Sequence, residues 1–180
     1  MLKALSAKRA IILMLALIIS MMSAVTVSAS APSAPYENGA LTPPPPENPD
    51  AGKLIRTPAQ RTDGGIQPFS FDPSHIYLED GNNLLSNLHN GSIDMSGATF
   101  STVNAETVGV QLTLQRWNGT SWVNYDTSGY YIANYTAYHA GSKVVPVSTG
   151  YYYRIVSLHY VSHLGTYESG VVTGTAGLIN

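Results

Sequence analysis

The stretch VGVQLTLQRWNGTSWV, residues 108–123, decides the fold class of this chain. Its first half alternates apolar and polar side chains, which is the pattern of a β-strand with one buried face and one polar face. The Asn118-Gly119 pair that follows readily adopts positive φ and predicts the turn of a β-hairpin. Because Trp117 and Trp122 flank this turn, we expect them to form a cross-strand aromatic pair.

The remainder of the chain continues with strand signals. Segments rich in β-branched and aromatic residues, separated by glycines, predict further strands at residues 122–126, 130–138, 143–147, 151–161 and 168–179. About seven candidate strands between Ser92 and Asn180, with no long amphipathic helix, predict an all-β antiparallel sandwich of the immunoglobulin-like or fibronectin-like type. Pro146 is typical of an edge strand, because proline has no N–H to donate to a neighbour.

The same alternation predicts which side chains fill the core. The expected core residues are large and apolar and fall on one face of their strands: Val108, Val110, Leu112, Leu114, Tyr131, Tyr153 and Ile155. In the strand at 151–161 the phase stays open, because Val156, Leu158 and Tyr160 compete with the odd-numbered set for the buried face.

The N-terminus has the organisation of a signal peptide. Lys3, Lys8 and Arg9 precede the apolar run 10–22, and Val27-Ser28-Ala29 has the small residues of a cleavage site. The run is shorter than the roughly 20 residues that cross a bilayer, so a retained anchor is the less favoured alternative. We therefore expect a signal peptide at 1–29 and a secreted protein, extracellular or loosely attached to the cell surface.

Residues 30–65 read as a disordered Pro-rich linker, because a run such as Pro43–Pro46 favours polyproline II and offers little to bury. Its role is open between a spacer that lifts the domain off a cell wall, a ligand for a proline-binding groove, and an unselected disordered leader. The β-sandwich domain is then expected at 66–180, with its core at 92–180. The chain has no Cys, and a secreted domain without disulfides is more typical of Gram-positive bacteria than of animals.

Several of these motifs resemble those of a known group of proteins. Leu114–Trp117, then Trp122-Val123, then residues 149–155 with His159 trailing, are similar to short secreted proteins of Gram-positive bacteria that carry a single β-sandwich domain of unknown function. The likeness covers residues 94–179. It implies the fold and export of the chain, and it implies no activity and no catalytic residues.

The Gly150-x-Tyr152 segment is also similar to the tyrosine corner of immunoglobulin-like sandwiches. Where that pattern would place a Cys, this chain has Arg154.

The charged residues give little support to catalysis. Charged side chains make up 11% of the chain and the formal net charge is -2, which argues against a nucleic-acid partner. His159 and His163 would share a helix face, but on a strand they lie about 13 Å apart, too far for one metal. Residues 80–83 (DGNN) are expected to form a turn rather than a calcium site. There is no Gly-x-Ser-x-Gly elbow and no diagnostic carboxylate pair, so we predict no enzyme activity, no metal and no cofactor.

The aromatic residues are the remaining functional signal, with 12 Tyr and 2 Trp in the chain. We take Trp117, Trp122 and Tyr152 as candidate binding residues. The expected role is a non-catalytic module that binds an extracellular or cell-surface protein, and the alternative is binding of carbohydrate or cell-wall glycan. A secreted hydrolase is less favoured, and no membrane partner is expected after signal cleavage. Coplanar exposed rings would favour the glycan, and a contiguous apolar patch or open sheet edge would favour the protein.

Overall fold

The computed structural model describes residues 36–61 and 75–180. The predicted signal peptide at 1–29 lies outside these ranges, as do the start of the predicted linker and residues 62–74. Within the described ranges, no helix has the length and apolar character needed to span a membrane.

The described residues are almost entirely β-structure, preceded by a short 3-10 turn at Glu37–Gly39. They form the strands β1 Leu54–Arg61, β2 Leu78–Asn87, β3 Ser92–Ala105, β4 Thr107–Trp117, β5 Trp122–Ala133, β6 Thr136–Pro146, β7 Tyr151–His163, β8 Thr166–Thr173 and β9 Gly177–Ile179.

The strands make two antiparallel sheets. The larger sheet has the order β1-β8-β7-β4-β5, with β9 pairing the start of β7 beyond the end of β8, and the smaller sheet has the order β2-β3-β6. Side chains from both sheets meet in one apolar cluster that includes Met95 of β3, Val145 of β6 and Leu112 of β4. The predicted antiparallel β-sandwich is therefore confirmed, and Pro146 ends an edge strand as expected.

Most of the residues that the alternation predicts for the core are buried. Six of the expected residues have 0% of their surface exposed: Val108, Val110, Leu112, Leu114, Tyr153 and Ile155. Tyr131 differs, since it is only partly buried and packs against the cluster from its margin. In β7 the odd-numbered positions face the core, so Val156 and Leu158 lie on the outer face of the larger sheet.

The strand boundaries around β5 differ from the prediction. The expected break between residues 126 and 130 is a β-bulge, in which Ser128 and Gly129 both lie opposite Leu112 of β4. The Ser128 hydroxyl accepts a hydrogen bond from the Leu112 amide at 3.0 Å, so the strand continues through this point. The actual turn falls at Asn134 and Tyr135, inside the segment predicted as one strand.

Part of the predicted linker belongs to the sandwich. Leu54–Arg61 is strand β1, which pairs with β8, and Pro58 lies within its register shift, where a missing N–H does no harm. Before β1, the Leu41 amide donates to the Gly150 carbonyl at 2.7 Å, and Ala40 and Thr42 are buried. The weakly patterned, Pro-containing sequence of this edge strand explains why it gave no strand signal.

Tyr153 ties the start of β7 to the preceding turn. Its hydroxyl donates to the backbone carbonyl of Ser148 at 3.0 Å, and its ring is fully buried. Burial raises the pKa of this phenol, so the hydroxyl stays protonated and available as a donor.

Tyr153→Phe is expected to lower the free energy of unfolding by about 1–2 kcal/mol, because the ring still packs but the Ser148 carbonyl loses its donor. Urea titration followed by tryptophan fluorescence would measure the loss. Tyr131→Phe is the matched control, since its hydroxyl bonds the Ser142 carbonyl at 2.7 Å in an exposed position and should cost less than about 0.5 kcal/mol. Equal losses in the two variants would contradict a special role for Tyr153.

Candidate functional site

The hairpin that joins the end of β4 to the start of β5 forms as predicted. Asn118 accepts hydrogen bonds at its side-chain oxygen from the amides of Thr120 and Ser121, at 2.9 and 2.8 Å, and Gly119 has φ +100°. Trp117 and Trp122 are cross-strand partners with ring centroids 5.4 Å apart and planes inclined by 55°. The expected aromatic pair is therefore present.

Arg154 completes this cluster on the outer face of the larger sheet. Its guanidinium carbon lies 4.3 Å from the Trp122 ring centroid, and its Nε donates to the Gln115 side chain at 2.8 Å. Burial lowers the pKa of this guanidinium, because the charged form is partly desolvated against the indole. The stacked arginine covers one face of Trp122.

Tyr152 lies at the same end of the same face. The pairing of Arg116 with Tyr153 puts Trp117 and Tyr152 at neighbouring positions on β4 and β7. The structure thus brings all three predicted binding residues together. Trp117 has only 6% of its surface exposed and its ring is tilted against Trp122, so the pair does not form the coplanar exposed platform expected for sugar binding.

The opposite end of the sandwich carries exposed apolar side chains at its turns. Tyr135, between β5 and β6, is 79% exposed, and Leu164, between β7 and β8, is 72% exposed. Both have positive φ, at 53° and 47°, a conformation that is strained for bulky side chains. We call this end, made by Ile76, Glu106, Tyr135 and Leu164, the loop end. Such strain persists only where the surrounding structure holds it, and it clusters at functional sites.

The third apolar residue of the loop end, Ile76, is held by a buried carboxylate. Glu168 on β8 is 0% exposed and accepts hydrogen bonds from the amides of Ile76, Tyr77 and Leu78 at 2.7, 2.8 and 2.6 Å. Thr102 adds a hydroxyl bond to the Ile76 carbonyl at 2.7 Å. The segment before β2 is therefore fixed by its backbone, while the Ile76 side chain remains 62% exposed.

These loop-end residues were missed in the sequence because their signals are weak. Asn134-Tyr135 and Leu164-Gly165 are turns with a large apolar residue at the tip, an unusual composition that could have been noticed. The role of Glu168 has no local signal, since its three partners lie about ninety positions earlier in the chain.

A chain of hydrogen-bonded polar groups, on the inward faces of the two sheets, connects the smaller sheet to the larger one. Thr99 donates to the Gly109 carbonyl, so its oxygen must accept from Nδ1 of His159, 2.9 Å away. The other imidazole nitrogen, Nε2, then accepts from the Ser157 hydroxyl at 2.7 Å, and Ser157 accepts from Asn83 at 2.8 Å. With these directions His159 is the neutral Nδ1–H tautomer, and the Ser157 hydroxyl has the Val172 carbonyl at 3.4 Å as a second acceptor.

His159 and Ser157 have the separation of a Ser–His pair but are both 0% exposed, so a substrate has no access to them. Burial lowers the pKa of His159 to about 4, against a smaller raising effect of Asp80 on β2. Gly81 is required beside the ring, since a Cβ there would lie 2.5 Å from the imidazole Cγ. The group is a structural network. The segment 80–83, expected as a turn, is instead part of β2, because it pairs with residues 97–100 of β3, and it supplies Asn83 to this network.

The described residues offer little else for catalysis. Within 36–61 and 75–180, no three His, Asp or Glu side chains come together as metal ligands. A shallow groove of about 510 Å³ crosses the outer face of the smaller sheet, floored by small residues such as Ala98 and Ala140 and flanked by Leu84 and Tyr138. Of the described side chains, none that lines this groove is a carboxylate, so it does not provide the paired acids of a glycosidase.

No family model matches this chain, and no curated protein matches it either.

Proposed function

We propose that the chain is an exported, non-catalytic domain of the immunoglobulin-like type that binds a cell-surface or extracellular protein through its loop end. The observation that carries this proposal is the pair Tyr135 and Leu164, two bulky apolar residues held at positive φ with most of their surface in solvent. Because these two side chains are exposed and their backbones are strained, they add no stability to the free domain, and a binding role would account for them.

The strand order supports the immunoglobulin-like type. If β2 is counted as the first strand, A, the smaller sheet is A-B-E and the larger sheet continues C′-C-F-G, with β1 added at its outer edge. The bond from Tyr153 to the Ser148 carbonyl has the form of a tyrosine corner at the start of strand F. Tyr153 rather than Tyr152 then fills that position, and the buried Ile155 stands two residues later where antibody domains have Cys.

In that numbering the loop end corresponds to the antigen-binding end of antibody variable domains. The B–C turn contains Glu106, the turn after C′ contains Tyr135, and the F–G turn contains Leu164. Two and a half strand spacings separate the last two turns along the sheet, roughly 12 Å, which is within the span of one interface. Tyr135 is an aromatic anchor of the kind that loses little conformational entropy on binding, and Leu164 adds apolar area at the same end.

Two further features support a protein partner over the glycan alternative. The Glu168 clamp fixes the Ile76 backbone in advance, which is how interfaces reduce the entropy cost of association. The glycan alternative depends on the Trp117 and Trp122 rings, which are tilted and largely covered. Export is supported by the residue pattern of segment 1–29 and by the absence of Cys, and by the likeness to secreted Gram-positive proteins.

The test measures retention of the purified protein on intact cells of the organism that produces it. The double variant Tyr135→Asn, Leu164→Asn removes both anchors, and asparagine tolerates positive φ, so the melting temperature should stay level or rise. Retention should fall about tenfold or more. Leu84→Asn, at a 62% exposed position on the smaller sheet, is the matched control and should be retained like the wild type.

Treating the cells with a protease before the assay separates the partner classes. We expect protease treatment to abolish retention, because the partner is a protein. Retention that survives protease but is lost after digestion of the wall glycan would favour the carbohydrate alternative instead. Wild-type retention by the Asn double variant, or no retention of the wild type, would overturn the proposal.

A further inference from the structure

We propose that the outer face of the larger sheet is the interface of a homodimer, in which two copies pack sheet against sheet. This interface is separate from the loop end and does not depend on the function proposed above.

The outer face of the larger sheet is almost free of charge. The register places on it polar or apolar side chains from every strand: Ile55, Thr57, Gln111, Thr113, Gln115, Trp117, Trp122, Asn124, Thr127, Tyr130, Ile132, Tyr152, Val156, Leu158, Tyr160, Ser162, Tyr167, Ser169, Val171, Thr173 and Leu178. Among the described side chains on this face, Arg154 is the only charged one. Solvent-facing sheets normally carry several charges, which keep them soluble and discourage pairing.

The middle of this face is uncharged from edge to edge and mostly apolar. One row across the sheet runs through the paired positions of Ile55, Val171, Leu158, Gln111 and Tyr130. The edge residues Ile55 and Tyr130 are 55% and 56% exposed, so apolar surface at both ends of the row is open to solvent.

Beside this row, three tyrosines from neighbouring positions on β5, β7 and β8 are in contact. Tyr160 has its ring centroid 6.0 Å from Tyr130 and 5.9 Å from Tyr167, and its ring lies directly over Gly109, where a Cβ would come within 2.2 Å of it. The glycine is needed because the ring lies flat on the backbone of β4. Tyr160 and Tyr167 are near parallel, with 25° between their planes, while Tyr130 meets Tyr160 edge-on at 77°; together they give an apolar aromatic cluster that a second sheet can pack against.

The area of the face is that of a stable interface. Five strand positions at about 4.8 Å and the eleven residues of β4 at about 3.3 Å give a face of roughly 24 by 36 Å, or about 850 Å² per copy. Standard protein interfaces bury about 800 Å² per partner. A second copy offers the same flat surface with a single charged side chain, Arg154, which already stacks on Trp122 and bonds Gln115 within its own copy.

The single arginine selects the symmetry. β7 is the middle strand of the sheet, Leu158 lies near its centre, and Arg154 lies four residues, about 13 Å, toward one end. A two-fold axis that crosses the strands near Leu158 would place the two arginines about 26 Å apart at opposite ends of the interface, beyond the Debye length at physiological salt. The two Leu158 side chains would then meet at the axis.

Sedimentation velocity and light scattering on the form of the protein that its cells produce would test this, over about 1–200 μM. We expect a dimer in the wild type. Leu158→Glu places two like charges at the axis and should weaken the dimer at least tenfold. Gln111→Glu, a nearly isosteric change at the cross-strand partner of Leu158, should act in the same direction, and it covers the case that Leu158→Glu does not fold.

Val144→Glu is the matched control, at a 57% exposed position on the outer face of the smaller sheet, and should leave the dimer intact. A wild type that stays monomeric at the highest concentration would overturn the proposal. So would a folded Gln111→Glu protein that dimerises as tightly as the wild type. The loop end lies at the turns and not on this face. A protein that is monomeric but still binds cells would therefore refute the dimer and leave the proposed binding function in place.

Discussion

Replacing Glu168 with alanine is expected to lower the free energy of unfolding by about 3–5 kcal/mol, a large share of the total for a domain of this size. The carboxylate accepts three backbone hydrogen bonds, from Ile76, Tyr77 and Leu78, at 2.6–2.8 Å, and it is fully buried. Alanine leaves three buried donors without acceptors, and a water that enters the space would recover only part of the loss. Urea titration followed by tryptophan fluorescence measures the change.

Glu168→Gln refines the same test. Glutamine keeps the shape and one acceptor oxygen but points an NH₂ group at donors, so we expect a loss of about 2 kcal/mol or more. Glu106→Ala, at an exposed position in the β3–β4 turn, is the control and should change stability by less than about 0.5 kcal/mol. If Glu168→Ala costs no more than this control, the three bonds do not stabilise the fold.

The Glu168 variants also connect stability to the proposed binding. In a Glu168 variant that still folds, the segment before β2 should be less rigid. Its amide groups lose their hydrogen bonds to Glu168, and the bond from the Thr102 hydroxyl to the Ile76 carbonyl remains. Retention on cells should therefore fall more for Glu168→Gln than for Leu84→Asn, the binding control on the smaller sheet, at equal folded protein. This outcome would separate preorganisation of the loop end from its apolar contacts alone.

The alternation of apolar and polar residues along the strands explains which part of the fold could be predicted. The strict alternation at Val108–Leu114 fixed one buried face, and the Asn118-Gly119 turn fixed the hairpin that follows. In β7 the alternation failed to choose a phase, because Val156 and Leu158 are apolar although they face outward. An outward apolar face is what a sheet that packs against a second sheet would need.

The remaining differences come from contacts between distant residues. The sequence predicts a strand end at Gly129, but this residue lies in a β-bulge that forms opposite Leu112 of β4. Glu168 is an ordinary acid in the sequence and becomes a clamp only because β8 lies beside the segment before β2. Tyr135 became a candidate through its positive φ and its exposure, which a sequence does not record.

The buried His159 makes the stability of the domain depend on pH. In the hydrogen-bond order from Gly109 through Thr99 to Ser157 the imidazole is neutral, and protonation of Nε2 would force the Ser157 hydroxyl to turn from Nε2 to the longer contact with the Val172 carbonyl, at 3.4 Å. Burial lowers the pKa of His159 to about 4, although the Asp80 carboxylate acts in the opposite direction. In the unfolded chain the pKa of the imidazole is about 6.5.

Between about pH 6.5 and pH 4 the unfolded chain therefore binds a proton that the folded chain does not. The free energy of unfolding should be independent of His159 above pH 7, fall with a slope of up to about 1.4 kcal/mol per pH unit below 6.5, and lose about 3 kcal/mol by pH 4. Urea titrations at half-unit pH steps would measure this slope, and they would include the contribution of the other titrating groups.

Two variants isolate the His159 contribution. His159→Gln offers a donor and an acceptor without a basic group, so it should be less stable at pH 7 but show a flatter slope between pH 6.5 and 4. His89→Asn, at an exposed turn residue whose φ of 54° asparagine tolerates, should keep the wild-type slope. If His159→Gln loses stability with acid as steeply as the wild type, the acid sensitivity comes from other groups and the neutral imidazole is not its cause.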